Sequence, residues 1–452
     1  MGDGQHSTSR VRLQHDPMEC KIEKLPCELL VAILSYLSVK EAAKTCLVSR
    51  NWRYLWQYTS GHLEIYDRDR RTTDPDVHYK FVKFVNQVLK LHQGSTLDQL
   101  RIGFCFRGSN FTFDHWVKFA IQKEVKVFEL DLAAGRQIFD GFRYYYFPDI
   151  NTLSSGDKFY RFCSNLKSLR LVNMGVKDET IRYFLSNCPC LEQVCISFSK
   201  CLQSLRVPGL FPSLKSMEIS WCNNVKGIEV NASNLESFTY IGPNILVPFQ
   251  NVPQLSELTL GDYYCYNFIF KADEHTSYSS KLRKLKLILP PLAVGKSTIT
   301  STYPDNFPRL DNLRKLELDI KLRAGESLVF FTFFTKACPL LSRFTARIGY
   351  TFVSNETIAT QCHHESSARL CTRFVHKHLK EVKLIGFTRG RSDYKLALHL
   401  LEIGRCSFNK IILQPTFYYY KGKSLALFHK QSKRLERKLP PGVELILIPS
   451  SS

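Results

Sequence analysis

The sequence predicts an α/β fold in which a short N-terminal helical module precedes an irregular solenoid with a parallel sheet and a C-terminal capping region. Three observations lead there. A dense apolar pattern lies between Lys21 and Gln57, a three-point apolar pattern recurs from Leu97 to Leu384, and strand-like and helix-like segments alternate after it.

The N-terminal module reads KIEKLPCELLVAILSYLSVKEAAKTCLVSRNWRYLWQ. Pro26 suits the first position of a helix, because its φ is already helical and its missing N–H would have had no partner there. Leu29, Leu30, Ile33, Leu34 and Leu37 follow at helical spacing and give a wide apolar face over about three turns. Ser38 and Glu41 are spaced as a capping box that opens a second helix. Trp52, Leu55 and Trp56 form an i, i+3, i+4 stripe on a third. Three short helices cannot hide all these side chains internally, so part of the apolar surface is expected to be covered by a partner.

At Leu25-Pro26, Leu29-Leu30, Ile33-Leu34 and Trp52 this three-helix module resembles the F-box family; Cys27 stands where members usually carry an acidic or polar residue. The resemblance implies docking on a Skp-family adaptor and, through it, on a cullin ubiquitin ligase. Carried over position by position, the adaptor contact is Leu25, Pro26, Leu29, Leu30, Ile33, Leu34, Leu47, Val48 and Trp52. Leu30→Glu is expected to put a charge into that contact and abolish adaptor capture while leaving the repeats folded.

Composition sets the outer limits. Of 452 residues 44% are apolar, enough for a sizeable core. Residues 1–20 are polar and are expected to form a disordered tail, without the apolar run of a secretory signal. The longest aromatic-aliphatic run, Leu328 to Phe334, is broken by Thr332 and falls short of the roughly 20 residues of a membrane span. The protein is therefore expected to be soluble, in the nucleus or the cytoplasm. Fifteen scattered cysteines are expected to be mostly buried free thiols. The net charge of +21 favours an acidic counterpart: nucleic acid, an anionic small molecule or an acidic protein segment.

Beyond a charged, proline-punctuated linker from Asp67 to Asp76, one pattern recurs: an apolar residue, two variable ones, a second apolar residue, one variable, then a third. Copies include Leu97-Leu100-Ile102, Val127-Leu130-Leu132, Leu166-Leu169-Leu171, Leu191-Val194-Ile196, Leu255-Leu258-Leu260, Leu282-Leu285-Leu287, Leu313-Leu316-Leu318 and Leu379-Val382-Leu384, with Leu341-Phe344-Ala346 a degraded one. The last two apolar residues sit two apart, so both point to one side of a strand, which is the signature of a leucine-rich repeat. Half-copies at Leu202-Leu205-Val207 and Val225-Ile228-Val230 are expected to be extended segments on the outer side. Asp178 to Cys188 and Glu326 to Cys338 are expected to be return helices, ended by the prolines at Cys188-Pro189 and Cys338-Pro339. This arrangement resembles plant F-box proteins with leucine-rich repeats. The tail, His378 to Phe387, Tyr394 to Gly404 and Phe408 to Leu413, is similar to the strand-helix-strand FBD region that closes many of them, and Val443 to Ile448 is read as a further edge strand. The expected boundaries are a tail at 1–20, the F-box at 21–66, a linker at 67–78, the solenoid at 79–375 and the FBD-like cap at 376–450.

No constellation for catalysis stands out. Gly295-Lys296-Ser297 ends like a phosphate-binding loop, but Pro290 replaces the required glycine. Cys362, His363, His364, Cys371, His376 and His378 are zinc-type residues at no paired-ligand spacing. No metal, cofactor or active site is expected. On strands of this pattern the variable residues line the inner surface of the curve. Later copies place Lys284, Lys286, Lys315, Glu317, Arg343, Arg347 and Lys383 there, against the blander Gln193, Ser216, Ser237 and Thr259 of earlier ones. These charged residues are the expected target contacts; the plainer reading is a solvated sheet face. Lys430, Lys433, Arg434, Arg437 and Lys438 fit either a solvated helix or a nuclear-import signal.

The resulting expectation is a non-catalytic substrate-recognition subunit of a Skp-cullin-F-box type ubiquitin ligase, acting through proximity. The alternatives are a basic nucleic-acid-binding solenoid, whose affinity would fall steeply with salt, and a general protein-interaction solenoid without a ligase role.

Overall fold

Each copy of the repeated pattern forms one short strand, because apolar residues two apart share a face of extended chain. The computed structural model describes residues 22, 25–37, 39–47, 52–67, 74–105, 113–133, 144–153, 156–207, 209, 213–271, 275–290, 307–322, 328–350, 374–387, 391–415 and 423–449. Among them, one parallel sheet of 14 strands runs through the molecule. It opens with β1 (His62–Tyr66), β2 (Gln99–Gly103), β3 (Val127–Asp131), β4 (Ser168–Val172) and β5 (Gln193–Ser197). It continues through β7 (Ser216–Ser220), β9 (Ser237–Ile241), β11 (Glu257–Gly261), β12 (Lys284–Ile288) and β13 (Lys315–Leu322). It ends with β14 (Arg343–Tyr350), β15 (Glu381–Ile385), β16 (Lys410–Gln414) and β17 (Glu444–Leu447). Between these lie β6 (Ser204–Val207), β8 (Gly227–Asn231) and β10 (Phe249–Gln250), which form a second parallel sheet in the order β10-β8-β6.

Apolar residues of neighbouring strands stand side by side and are buried: Leu100 beside Phe128, Val194 beside Met217, Leu285 beside Leu316, Val382 beside Ile411. Each such side chain stabilises the fold by about 1.5–3 kcal/mol when taken out of water, so the stacked ladder drives folding. Return segments are helical where the copies are far apart, as in Asp114–Gln122, Asp157–Asn165 and Asp178–Asn187. Where copies are close, the half-copies at Leu205-Val207 and Ile228-Val230 lie in the second sheet, as expected for the outer side. Cys188 and Cys338 end their helices, and each carbonyl then accepts from the N–H of the next strand's leading leucine, Leu191 or Leu341.

Three expectations are revised. The second copy, which forms β3, is shifted by two residues: Phe128 and Leu130 pair with Leu100 and Ile102, so the pattern there is Val125-Phe128-Leu130. His62–Tyr66, counted with the N-terminal module, is the first strand of the sheet. The linker at 67–78 gives way at Pro75 to helix α3 (Pro75–Leu91), with Asp74 accepting from the Asp76 N–H; residues 68–73 lie outside the described residues. At 376–450, β15, helix Arg391–Ile403 and β16, and then β17, extend the same sheet. The expected tail at 1–20 and the Ser38 capping box also lie outside the described residues.

The N-terminal module, with helices α1 (Cys27–Leu34) and α2 (Val39–Lys44), has its own small core of Leu30, Leu34, Ala42 and Trp52. Its third helix is a short 3-10 turn, Leu55–Tyr58. Trp56 packs against both this core and that of the solenoid. The Gln57 carbonyl accepts from the N–H groups of Gln93 and Gly94, and His92 Nε2–H donates to the Thr59 carbonyl at 2.8 Å. Gly61 packs so tightly on the Ser35 carbonyl that a Cβ there would overlap it. The module is thus fastened to the first edge of the sheet.

Candidate functional site

Helix α1 is apolar apart from Glu28 in its first turn, and the structure divides its apolar residues into two stripes. Leu30 and Leu34, 2% and 0% exposed, turn inward onto Ala42 and Trp52. Leu29, Ile33 and Tyr36 turn outward at i, i+4 and i+7 and are 52%, 38% and 90% exposed. Leu47 is 91% exposed, Pro26 is exposed and Leu25 half-buried; Val48 lies outside the described residues. Leu30, Leu34 and Trp52 were expected at the adaptor contact; they instead hold the module together and offer a partner no surface. Tyr36 was missed, although the same helical spacing that picks out Leu29 and Ile33 reaches it.

The second surface is the sheet face turned away from the core. Its middle row begins Glu64, Arg101, Glu129, Arg170 in strands β1 to β4. Arg101 lies 3.6 Å from Glu64 and 3.9 Å from Glu129; Arg170 lies 3.5 Å from Glu129 and 3.8 Å from Glu218. Arg170 also donates to Cys195 Sγ at 2.8 Å, and burial pushes that thiol up to about 12. Tyr66, beside Glu129, is likewise pushed up to about 12, chiefly by burial. This end of the face is polar and neutralised within itself.

The far end carries the expected target residues in one connected patch. Lys284 pairs with Glu257 at 2.9 Å and Lys315 with Glu317 at 2.7 Å. Arg347 stands 3.9 Å from Asp319, while Arg343 and Lys410 share Glu381 at 3.9 and 3.2 Å. Register places Lys286 beside Glu317, then Thr345, then Lys383. Burial raises the Glu317 carboxyl, but Lys315, Lys286 and Lys284 outweigh it and hold it below its ordinary range.

A third feature escaped the sequence. Asn173, Phe198, Trp221 and Asp262 each follow a strand in the left-handed region, at φ 60°, 58°, 58° and 59°. Their N–H groups donate to the last carbonyl of the next strand, Ser197, Ser220, Ile241 and Ile288 respectively. Asn and Asp tolerate this backbone; an aromatic residue pays about 1–2 kcal/mol. Phe198 and Trp221 nevertheless occupy it and lie parallel, 6.2 Å apart, half-exposed on the rim of the face. Only the recurrence of the strand-end position could have singled them out.

Cys362, His363, His364 and Cys371 lie outside the described residues, as does Gly295-Lys296-Ser297. His376 is buried, with Nε2–H donating to the Cys338 carbonyl at 2.8 Å and Nδ1 accepting from the His378 N–H at 3.1 Å. Among the described residues no three of His, Cys, Asp or Glu are grouped to hold a metal ion. The described cysteines are free thiols, with Cys105, Cys163, Cys188, Cys222, Cys265 and Cys338 buried. No described helix is long and apolar enough to cross a membrane. Lys430, Lys433, Arg434, Arg437 and Lys438 are exposed in or just after helix Lys423–Glu436, whose Phe428 and Leu435 are buried.

This geometry, a small helical module clipped to a long repeat sheet, matches known families in both parts. The family model described as the At1g61320/AtMIF1 LRR domain matches residues 88–437. The chain belongs to this leucine-rich-repeat family. Within the same chain the F-box-like model matches residues 22–59, which are the residues of the module. An F-box protein of Arabidopsis thaliana, At1g80960, is 28% identical over 49% of this chain and 49% of its own length. The F-box/LRR-repeat protein At3g03360 of the same plant is 27% identical over 58% and 56%, and the F-box/FBD/LRR-repeat protein At1g78750 is 24% identical over 71% and 75%. The chain spans about half the length of the first of the curated relatives it matches. Leucine-rich repeats thus follow an F-box-like segment in this chain, and F-box, LRR-repeat and FBD all stand in the names of several of its Arabidopsis relatives.

Proposed function

We propose that the protein is the substrate-recognition subunit of a Skp-cullin-F-box ubiquitin ligase. The observation that carries this reading is the outward stripe of Leu29, Ile33 and Tyr36, with Leu47 beyond it, on the segment that matches the F-box. A soluble module gains nothing from bare apolar residues at this density, whereas an adaptor covering them removes that surface from water. The repeats then hold a protein target on the inner face of the sheet. Fastening the module to β1 keeps target and adaptor in one frame, so the contribution to ubiquitin transfer is effective concentration, with the chemistry performed by other subunits and no catalytic residue in this chain. The place of action is the nucleus or the cytoplasm.

Co-expression with a Skp-family adaptor tests the reading. Leu29→Glu combined with Ile33→Glu should abolish co-purification of the adaptor, by at least about tenfold, and leave the melting curve unchanged. Undiminished capture by this variant would remove the basis of the assignment. A second reading, a basic nucleic-acid-binding solenoid, has the net charge of +21 in its favour. It requires affinity for nucleic acid that falls steeply with salt.

A further inference from the structure

The two ends of the inner face treat their charges differently. At the first end each arginine of the middle row stands between two carboxylates, and the face is closed electrostatically. From β12 to β16 the cations outnumber their partners. Lys383, in the middle row, has no ion pair among the described residues; Lys286 in the same row has only Glu317 beside it, which Lys315 already pairs directly, and Glu381 is shared between Arg343 and Lys410. On β9 and β11, next to the patch, the middle row of this face is Thr239 and Thr259, flanked by Glu257 at one end and Ile241 at the other, so a chain lying along that row meets only short side chains on those two strands. Both lysines are half-buried on that floor, where water screens them less than at an outer surface.

We propose that this cationic half of the inner face binds an acidic, extended segment of the target protein. The proposal rests on the reading of the repeats as the target-binding part and names the chemistry of the target. A protein segment fits better than a nucleic acid because Glu317, Asp319 and Glu381 interrupt the cations. A phosphate backbone carries charge at every step and would meet those carboxylates, whereas a peptide can place neutral or basic residues over them. Among the described residues, the aromatic pair Phe198 and Trp221 lies at β5 and β7, away from this patch, so it supplies no base-stacking platform here. Lys286 and Lys383 are three strands apart, about 14 Å at the usual interstrand spacing, which an extended chain crosses in about four residues. The segment is therefore expected to carry acidic residues at i and i+4.

The full-length chain and fluorescently labelled short peptides test this by anisotropy. One peptide carries Glu at i and i+4, a second has Gln at both, and a single-stranded oligonucleotide of similar length is the third probe. The Glu peptide should bind more tightly than the Gln peptide, and Lys286→Glu with Lys383→Glu should weaken it by about tenfold or more. Lys80→Glu with Lys83→Glu, on the outer helix α3, should leave binding unchanged. Should the double reversal not fold, Lys286→Gln with Lys383→Gln is measured instead and should still weaken binding severalfold. Absence of binding to the Glu peptide, equal loss in the α3 variant, or tighter binding of the oligonucleotide that the same double reversal abolishes would each overturn the proposal. Adaptor capture by the same preparations reports on the F-box reading independently.

Discussion

Leu29 and Leu30 are adjacent, chemically identical and opposite in consequence. Leu30 is sealed in a core of only a few side chains, so Leu30→Ala should destabilise the module by about 2–5 kcal/mol. Limited proteolysis should then cut the module early while the repeats persist. Leu30→Glu, expected from sequence to disable a contact, should unfold the module instead and so cannot separate binding from folding. Leu29→Glu can, because its side chain already meets water. The sequence shows that both residues are apolar; which one faces inward depends on where α2 and Trp52 pack, and no local pattern contains that.

Among the elements, the strands were the most legible part, because alternation of apolar residues is a local property that the sheet uses directly. Strand β1 was missed because Ser60 stands where the pattern has its leading apolar residue. The register of β3 was misread because Phe128, Leu130 and Leu132 all alternate, and a shift of two leaves the same face inward. What joins neighbouring elements is less visible. Gly386 follows β15 at φ +88°, and a Cβ there would run into the Ile348 carbonyl of β14. Gly386→Ala should therefore cost more than about 2 kcal/mol, from the left-handed backbone and the displaced strand together. Gly442, at φ +85° with open space around it, is the matched control: its alanine variant should lose only about 1 kcal/mol in the same thermal melts.

For the molecule as a whole, the joint between module and sheet gives stability a dependence on pH. Burial lowers the His92 pKa, against the opposing pull of the Thr59 carbonyl, and burial lowers those of His376 and His399 as well. Each of these groups in the folded chain takes up a proton less readily than in the unfolded chain. The stability they contribute is complete above the ordinary histidine value of 6.5 and is lost as pH falls from there through the folded values. Melting temperature should drop between about pH 7.5 and pH 5.5, and His92→Gln should flatten part of that drop. A variant that melts with the same pH profile as wild type would remove His92 from this account.

Around β6, β8 and β10 both surfaces of the solenoid advance by one strand per repeat, about 4.8 Å, whereas the helices that back the other repeats are about 10 Å wide. A wall that grows equally on both sides stays straight, and one that grows faster on the outside bends. Where β6, β8 and β10 form the back, the wall is therefore expected to run flatter than where helices such as Asp114–Gln122 and Asp157–Asn165 back it, and a bound chain crossing that stretch has to lie straight, without the protein curling to meet it.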